Sequence, residues 1–359
     1  MNTDHSNTLQ EVEILKHETK DCTYPQIRLK GGSLSETTLH VPPSGMPFVR
    51  KQVSIKTNRE YGFQRWYSQL KRLQRYEYMY PGRYPKILDY GCSAANAYFD
   101  MEYIEDSTNV YEFLKVNKNT DQIGLLFDNL TGAMADIHKV SLPSFESALP
   151  LYIHEEISQR LKDCMSNSHF RLLTGHKYIY FQNLYVEGIY TRLGEYKDLF
   201  LKHYKNPCEN FSHGNMTLEN ILYQSKTGRI VFIDPYEENV IDTKLADYSQ
   251  ILQSCDALYE LYNENDTIYK DNRISANVDQ IPEGLILFQN LFLDFLKKEL
   301  SSEQYVVVRL LQVSQFIRML PFKMAIDTSK MMFFYGLASY LFDKITLDLK
   351  NGNRGCGSN

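Results

Sequence analysis

The stretch FSHGNMTLENILY, residues 211–223, constrains the fold of this chain more than any other segment. It sets Asn215 and Asn220 five positions apart, and Asp234 ends the apolar run IVFID fourteen positions later. The apolar runs ILY and IVFID predict two short strands around a Lys-Thr-Gly turn. A polar loop, a hairpin and a carboxylate at a strand end are therefore expected within one short segment.

Oxygen-bearing side chains at this spacing suit the transfer of a terminal phosphoryl group. Such a transfer requires the acceptor hydroxyl to be positioned and the phosphate charge to be neutralised by metal ions and cations. With this spacing, Asn215 is expected to face the acceptor and Asn220 to face Mg²⁺. The carboxylate of Asp234 can bridge a metal to the phosphates. We therefore predict Asn220 and Asp234 as metal ligands.

The first hundred residues predict an antiparallel sheet. Residues 26–41 indicate a strand, a glycine turn and a second strand, and residues 47–55 a third. Residues 58–76 carry large apolar side chains at helical spacing, and the segments RYPKILDYGCS and NAYFDMEYIED indicate two more strands. The apolar helix positions are Phe63, Trp66, Leu70 and Leu73. A five-stranded antiparallel sheet with one inserted helix is therefore expected by residue 105.

The second half predicts helices, apart from the hairpin that follows Asn220. Residues 121–140 place six apolar side chains on one helical face, and residues 243–349 continue as long amphipathic helices. The six positions are Ile123, Leu126, Phe127, Leu130, Met134 and Ile137. The expected class is α+β with two domains.

The expected domain boundaries follow from these patterns. Residues 1–22 are expected to be a flexible lead-in and residues 350–359 a flexible tail. Residues 23–106 form the predicted N-terminal nucleotide-binding lobe. Residues 107–349 form the helical lobe, with the catalytic-type loop at 211–235.

Composition excludes several function classes. The chain has 359 residues, 43% of them hydrophobic, and a net charge of −5 with both signs interspersed, so we expect no nucleic-acid partner. The polar N-terminus lacks a signal peptide, and the longest apolar stretches are too short or too interrupted to span a bilayer. The six cysteines show no metal-binding spacing and are expected to be free thiols. We therefore expect a cytoplasmic protein without a membrane segment.

The pattern H-G-[D]-x-x-x-x-N, followed by a hairpin and a strand that ends in Ile-Asp, resembles the phosphotransferase family of aminoglycoside and choline kinases. The resemblance covers about residues 26–255. It implies a two-lobed protein-kinase-like fold, ATP and Mg²⁺ as cofactors, and Asn220 and Asp234 as the metal ligands. It also implies a small hydroxyl-bearing acceptor, such as an amino sugar, a sugar or an amino alcohol.

Further segments resemble other parts of this family's nucleotide site. GGSLSET resembles its glycine-containing loop, Lys51 its strand-three lysine and Glu60 the helix partner of that lysine. MEYIED (101–106) resembles the hinge that accepts the adenine edge, and ADIH (135–138) a helix of the helical lobe. The implied nucleotide contacts are Gly31, Gly32, Ser33, Lys51, Glu60, Glu102 and Ile104.

Each of these assignments has a structural alternative. A double glycine is usually only a turn. Lys51 could be a solvated edge residue, with Arg50 or Lys56 as the true phosphate partner. Glu60 could be an acid that complements the helix dipole. His213 lies in the catalytic-type loop, where its ring is expected to orient the loop through backbone contacts.

Asn215 departs from the family pattern, because a carboxylate at this position accepts or steers the proton of the acceptor and an amide cannot. Three explanations stay open. In the first, the protein is a catalytically inactive pseudokinase that binds nucleotide as a scaffold or regulator. In the second, it is an active enzyme that uses another acid, such as Asp242, Glu237 or Glu238. In the third, the asparagine is an engineered replacement of aspartate.

The segment after Asp234 is acidic, with Glu237, Glu238, Asp242 and Asp247. In the family this loop lies beside the acceptor, so an acidic mouth would attract a cationic acceptor. The alternative is a solvated charged loop in which Asp247 caps nearby backbone groups.

Overall fold

The computed structural model describes residues 24–29, 35–55, 59–93, 95–143, 148–205, 208–236, 239–270, 272–278 and 280–352, with only the backbone described at 59–61, 143, 208 and 209. The chain divides into two compact units. The first comprises residues up to Ser107 together with Arg229–Glu238, and the second comprises Thr108–Gly228 and the residues from Asn239 onward. The last seven residues of the expected 211–235 loop segment, 229–235, thus belong to the first unit.

The first unit is built on a five-stranded sheet in the order β1-β2-β3-β5-β4, and all neighbouring strands are antiparallel. A helix, α1, connects β3 to β4. The predicted sheet with one inserted helix is therefore confirmed. The elements are β1 (Gln26–Arg28), β2 (Glu36–His40), β3 (Phe48–Ser54), α1 (Arg59–Met79), β4 (Ile87–Cys92) and β5 (Asn96–Glu102).

Helix α1 packs on β3, β4 and β5 through its apolar face. Trp66, Leu70 and Leu73 are at most 2% exposed, as the helical spacing predicts. Burying each of these side chains contributes roughly 2 kcal/mol. On β3, Val49 and Val53 are buried. Because side chains alternate along a strand, the residue between them, Lys51, projects from the same side of the sheet.

The second unit is mainly helical. Its helices are α2 (Val110–Val116), α3 (Thr120–Ile137), α4 (Ala148–Tyr152), α5 (Arg160–Cys164), α6 (Ser168–Thr174), α7 (Leu193–His203), α8 (Lys244–Cys255), α9 (Tyr259–Glu264), α10 (Glu283–Glu299), α11 (Ser302–Ile326) and α12 (Thr328–Lys350), with a π-helical segment at Ile153–Gln159. Asn109, Asn119 and Thr243 cap α2, α3 and α8 by accepting hydrogen bonds from backbone N–H groups.

The second unit also contains strands that the helical prediction missed. Four of them form a sheet in the order β13-β14-β8-β9, in which β14 and β8 run parallel. These strands are β8 (Tyr178–Phe181), β9 (Leu184–Glu187), β13 (Thr267–Lys270) and β14 (Arg273–Ala276). They were missed because each has only four residues, too few to separate a period of two from a helical one.

Short strands frame the polar loop. β11 (Ile221–Gln224) pairs with β6 (Thr108–Asn109), and β7 (Leu142–Pro143) pairs with β10 (Cys208–Glu209). The turn after β11 closes with the Gly228 N–H donating to the Gln224 carbonyl at 2.9 Å, and Gly228 has a φ of +73°. The next strand, β12 (Arg229–Phe232), leads to Asp234.

Helix α8 is buried along its whole length from Leu245 to Cys255, although it carries several polar residues. Buried polar groups are costly unless they are hydrogen-bonded. Three of them, Asp247, Gln250 and Ser254, bond to the polar loop that precedes β11.

None of the helices in the described residues combines the length and the apolar character needed to cross a membrane.

Candidate active site

In the first unit, Lys51 on β3 contacts Asp234, which follows β12. The Lys51 Nζ donates to Oδ1 of Asp234, and the lysine side chain is only 13% exposed. Strand β3 lies between β2 and β5, so Lys51 is not a solvated edge residue. Asp234 has a φ of +55°, a left-handed conformation that is uncommon for a residue other than glycine and aims its carboxylate at this contact.

Gln69 is a second donor to Asp234. Its Nε2 donates to Oδ1 of Asp234 and to the carbonyl of Pro235, both at 2.8 Å. Gln69 lies on α1 and is 7% exposed. The sequence analysis did not identify it. The sequence did carry a signal that Gln69 is buried, because it lies beside Leu70 and three positions after Trp66, on the apolar side of the helix.

Arg50, the alternative phosphate partner, is already paired. Its guanidinium forms a bidentate ion pair with Asp100, with both distances 2.7 Å, and lies 4.1 Å from the ring centre of Tyr98. Burial raises the pKa of Asp100, and the bonds from Arg50 oppose that shift. Because Arg50 and Lys51 are successive strand residues, they project to opposite faces of the sheet. The other alternative, Lys56, lies outside the described residues.

In the second unit, α8 holds the main chain of the polar loop. Oδ2 of Asp247 accepts from the His213 N–H and from Nε2 of His138, and Oδ1 accepts from the Gly214 N–H, all at 2.8 Å. Asp247 is fully buried. It therefore caps nearby backbone groups, as its structural alternative states.

Two more residues of α8 extend this attachment. Oε1 of Gln250 accepts from the Met216 N–H at 2.6 Å, and Nε2 donates to the Gly214 carbonyl at 2.5 Å. Oγ of Ser254 accepts from the Leu218 N–H at 3.0 Å. With Asp247, these residues stand at positions i, i+3 and i+7, which share one face of a helix. The sequence analysis missed Gln250 and Ser254, because polar residues in a helix give no sign of being buried.

Asn220 folds back on the loop through one end of its side chain. Its Nδ2 donates to the Asn215 carbonyl at 2.8 Å and to Oγ1 of Thr217 at 3.1 Å. Among the described residues, none bonds to its Oδ1, so this oxygen is the atom left for a metal ion. An amide oxygen and a carboxylate fit Mg²⁺, which is commonly bound by one or two protein oxygens together with substrate phosphates. The described residues hold no cluster of three or more His, Cys, Asp or Glu that would make a denser metal site.

His213 is fully buried in the same loop, and its Nδ1 accepts from the Asn215 N–H at 3.2 Å. The ring therefore bonds to the loop backbone, in keeping with the predicted orienting role. Asn215 itself is half-buried.

Asp242, a suggested substitute for the missing acid, takes part in a local network. Its Oδ1 accepts from Oγ of Ser212 at 2.5 Å and from Nδ2 of Asn239 at 3.1 Å. The amide of Asn239 lies so close to Gly214 that a Cβ there would come within 2.2 Å of it. Position 214 also has a φ of +76°, so both the backbone conformation and the lack of space for a Cβ require glycine there.

The predicted hinge follows β5. Glu102 forms an ion pair with Arg229 at 3.7 Å, and Ile104 is 4% exposed. The Ile104 carbonyl accepts from Oγ of Ser107 at 2.6 Å. The side chain of Glu102 is thus engaged within the first unit, and its adenine role stays a prediction.

Several predicted site residues fall on parts of the chain that are not described. Gly31, Gly32 and Ser33 lie outside the described residues, as do Glu237 and Glu238. Glu60 lies on α1, but its side chain is also outside the described part.

Comparison with solved structures identifies the fold. The chain matches a fructosamine-3-kinase from Haemophilus somnus 129PT with a TM-score of 0.52 and 11% identity, over 94% of this chain and 96% of that one. It matches an aminoglycoside 2'-phosphotransferase IIIa variant in complex with GDP with a TM-score of 0.55 and 11% identity, over 98% and 99% of the two chains. The chain has a protein-kinase-like fold. The kinase-like fold expected from the polar loop is therefore confirmed.

The two comparisons at the level of sequence find no relative. No model of a protein family matches the sequence, and a search of curated proteins finds no significant match. Both solved structures align with nearly the whole chain, so the kinase-like fold accounts for both compact units.

Proposed function

We propose that this protein is an ATP- and Mg²⁺-dependent phosphotransferase that acts on a small hydroxyl-bearing acceptor. The observation that carries the proposal is the contact between Lys51 and Asp234, two residues predicted separately as the phosphate-binding cation and a metal ligand. The two structural neighbours also support it, because their names describe a fructosamine kinase and an aminoglycoside phosphotransferase.

Each side chain has a defined task under this proposal. Lys51 neutralises phosphate charge, and Gln69 holds the carboxylate of Asp234 in place. Asp234 in the first unit and Oδ1 of Asn220 in the second are each proposed as a Mg²⁺ ligand, and bound Mg²⁺ would neutralise the phosphate oxygens. Phosphoryl transfer depends mainly on positioning and electrostatics, and these residues would supply part of both.

Asn215 favours a second candidate function, that of an inactive nucleotide-binding pseudokinase. An amide can orient the acceptor hydroxyl through its oxygen, but it takes up no proton at neutral pH. A general base contributes roughly 10²- to 10⁴-fold in rate. Nucleotide binding is thus expected to be intact and turnover to be slow or absent.

One experiment separates the two functions. Calorimetry with ATP and GTP in the presence of Mg²⁺ measures binding, and phosphoryl transfer to amino sugars, sugars and choline is measured for the wild type and for Asn215→Asp. Transfer by the wild type supports the kinase proposal, and transfer by Asn215→Asp alone shows an intact site that is disarmed by Asn215. Binding without transfer by both forms supports the pseudokinase, and the absence of binding rejects both.

The proposal extends to the charge of the acceptor and to the cellular location of the protein. Asp242 and the acidic residues before it would favour a cationic acceptor, such as an amino sugar. We place the protein in the cytoplasm, where ATP is available. The free thiols of Cys92, Cys164 and Cys255 fit that reducing compartment.

A further inference from the structure

One buried side chain binds the two peptide groups that flank Asn215. The amide of Gln250 accepts from the Met216 N–H at 2.6 Å and donates to the Gly214 carbonyl at 2.5 Å. Gln250 is 3% exposed, so water hardly competes for these bonds. A primary amide suits the task because it carries an acceptor and a donor side by side.

These two bonds act on the peptide planes that define φ and ψ, the two soft backbone torsions of residue 215. The Gly214 carbonyl belongs to the peptide plane before Asn215, and the Met216 N–H belongs to the plane after it. A residue's conformation is set by the angle of each plane to its Cα, so fixing both planes fixes φ and ψ. The direction of the bond from Cα to Cβ is then fixed as well.

We propose that Gln250 is the positioning residue for the side chain at 215. It holds both flanking peptide planes and so sets the direction in which the Asn215 side chain leaves the backbone. This inference rests on the proposed function of the loop. It deepens that function by assigning the geometry of residue 215 to helix α8 rather than to the loop itself.

Gln312, another buried glutamine of the second unit, has different partners. Nε2 of Gln312 donates to the Leu252 carbonyl at 3.1 Å and to Asp256 at 3.0 Å, which joins α11 to α8 within the core. Gln312 is 1% exposed. It is therefore a matched control, a buried glutamine that packs against the same helix but bonds elsewhere.

The first test compares Gln250→Met with Gln312→Met by NMR. In protein labelled with ¹⁵N at asparagine, the side-chain signal of Asn215 is assigned by its loss in Asn215→Asp. We expect Gln250→Met to shift or broaden this signal. In protein labelled with ¹⁵N at methionine, it should also speed solvent exchange of the Met216 amide at least ~10-fold, because its bond is lost. Gln312→Met should change neither. Equal effects of the two substitutions would overturn the proposal.

A second variant, Gln250→Glu, tests the donor and acceptor separately. A protonated carboxyl group still donates to the Gly214 carbonyl and accepts from Met216, whereas the ionised group has no donor. Burial raises the pKa of a carboxyl group, so the new side chain of this variant is expected to be neutral at low pH. The Asn215 signal of this variant should therefore be native-like near pH 5 and altered near pH 8. A signal that is altered at both pH values, or native-like at both, would contradict the positioning role.

The third test measures the kcat of phosphoryl transfer. It uses the wild type or Asn215→Asp as the parent, depending on which of the two is active. Gln250→Met should lower kcat by roughly 10- to 100-fold through misplacement of residue 215, with the Kd for Mg-ATP unchanged within about twofold. A kcat equal to that of Gln312→Met would refute the proposal. If neither parent form transfers, the proposed activity fails, and the NMR measurements alone decide the positioning role.

Discussion

The Nζ atom of Lys51 contacts Oδ1 of Asp234, although 183 positions separate the two residues in the sequence. Gln69 donates to the same oxygen, so two donors converge on one carboxylate oxygen. Hydrogen bonds to charged groups are worth about 1.5–3 kcal/mol. This convergence leads to the first prediction.

Lys51→Met and Asp234→Asn should each weaken Mg-ATP binding by roughly 10- to 100-fold, because under the proposed function each removes a charge that would interact with the phosphates or the metal. Calorimetry with Mg-ATP measures the Kd. The control is Lys86→Met, which removes an exposed lysine of the same unit. If Lys51→Met binds as tightly as this control, the lysine has only a structural role.

Asp247→Asn should destabilise the protein by about 1–3 kcal/mol. The carboxylate accepts three hydrogen bonds, and an amide has one oxygen to replace two, so at least one donor of His138, His213 or Gly214 loses its partner. Urea unfolding measures the loss. The exposed Asp198 supplies the control, because Asp198→Asn should change the free energy of unfolding by less than about 0.5 kcal/mol.

Glu260 should make the stability depend on pH. It is 1% exposed, its Oε1 accepts from Oγ of Ser254 at 2.6 Å, and its Oε2 is a buried oxygen with no hydrogen-bond partner among the described residues. Burial raises the pKa of Glu260 to about 7, and the nearby charge of Glu219 adds to this rise. The folded state therefore holds the proton more tightly than the unfolded state, and the free energy of unfolding falls as the pH rises from about 4.5 to about 7.

The expected size of this loss is roughly 2–3 kcal/mol. Glu260→Gln should remove that part of the dependence and raise the Tm relative to the wild type at pH 8. Thermal unfolding between pH 4.5 and pH 8 measures it, with Glu155→Gln as a control at an exposed glutamate. Parallel Tm curves for the wild type and Glu260→Gln would show that residue 260 does not titrate in this range.

Asp256→Leu should cost about 3–5 kcal/mol, because it leaves the largely buried charge of Arg309 without its partner at 2.7 Å. Burial alone would raise the pKa of Asp256, but the charge of Arg309 and the bond from Gln312 hold it below its ordinary value. The double variant with Arg309→Leu should recover part of the loss, since no unpaired charge remains. Urea unfolding of the three variants gives the coupling energy, and purely additive losses would rule out this pairing effect.

The parts of the fold that were predicted correctly share strong local patterns. On β3, Val49 and Val53 are buried on one side of the sheet, and α1 carries Trp66, Leu70 and Leu73 at helical spacing. The polar loop was recognised because Asn215, Asn220 and Asp234 combine residue type with spacing. In such segments the local preference and the tertiary environment agree.

The parts that were missed depend on long-range contacts. The sheet of β8, β9, β13 and β14 joins strands about ninety positions apart, as in the pairing of Tyr180 with Arg273. Gln69 and Gln250 look like ordinary polar helix residues in the sequence, and only the folded chain shows them buried against Asp234 and the loop. Nothing within a local window encodes such partners.

The bonds that α8 sends to the polar loop through Asp247, Gln250 and Ser254 all end on main-chain atoms. Any residue at position 215 would therefore be carried in the same place, whether its side chain is an acid or an amide. Under the proposed function, a single substitution at position 215 would raise or abolish phosphoryl transfer while the backbone of the loop stays in place. The reactivity at 215 would then evolve independently of the fold.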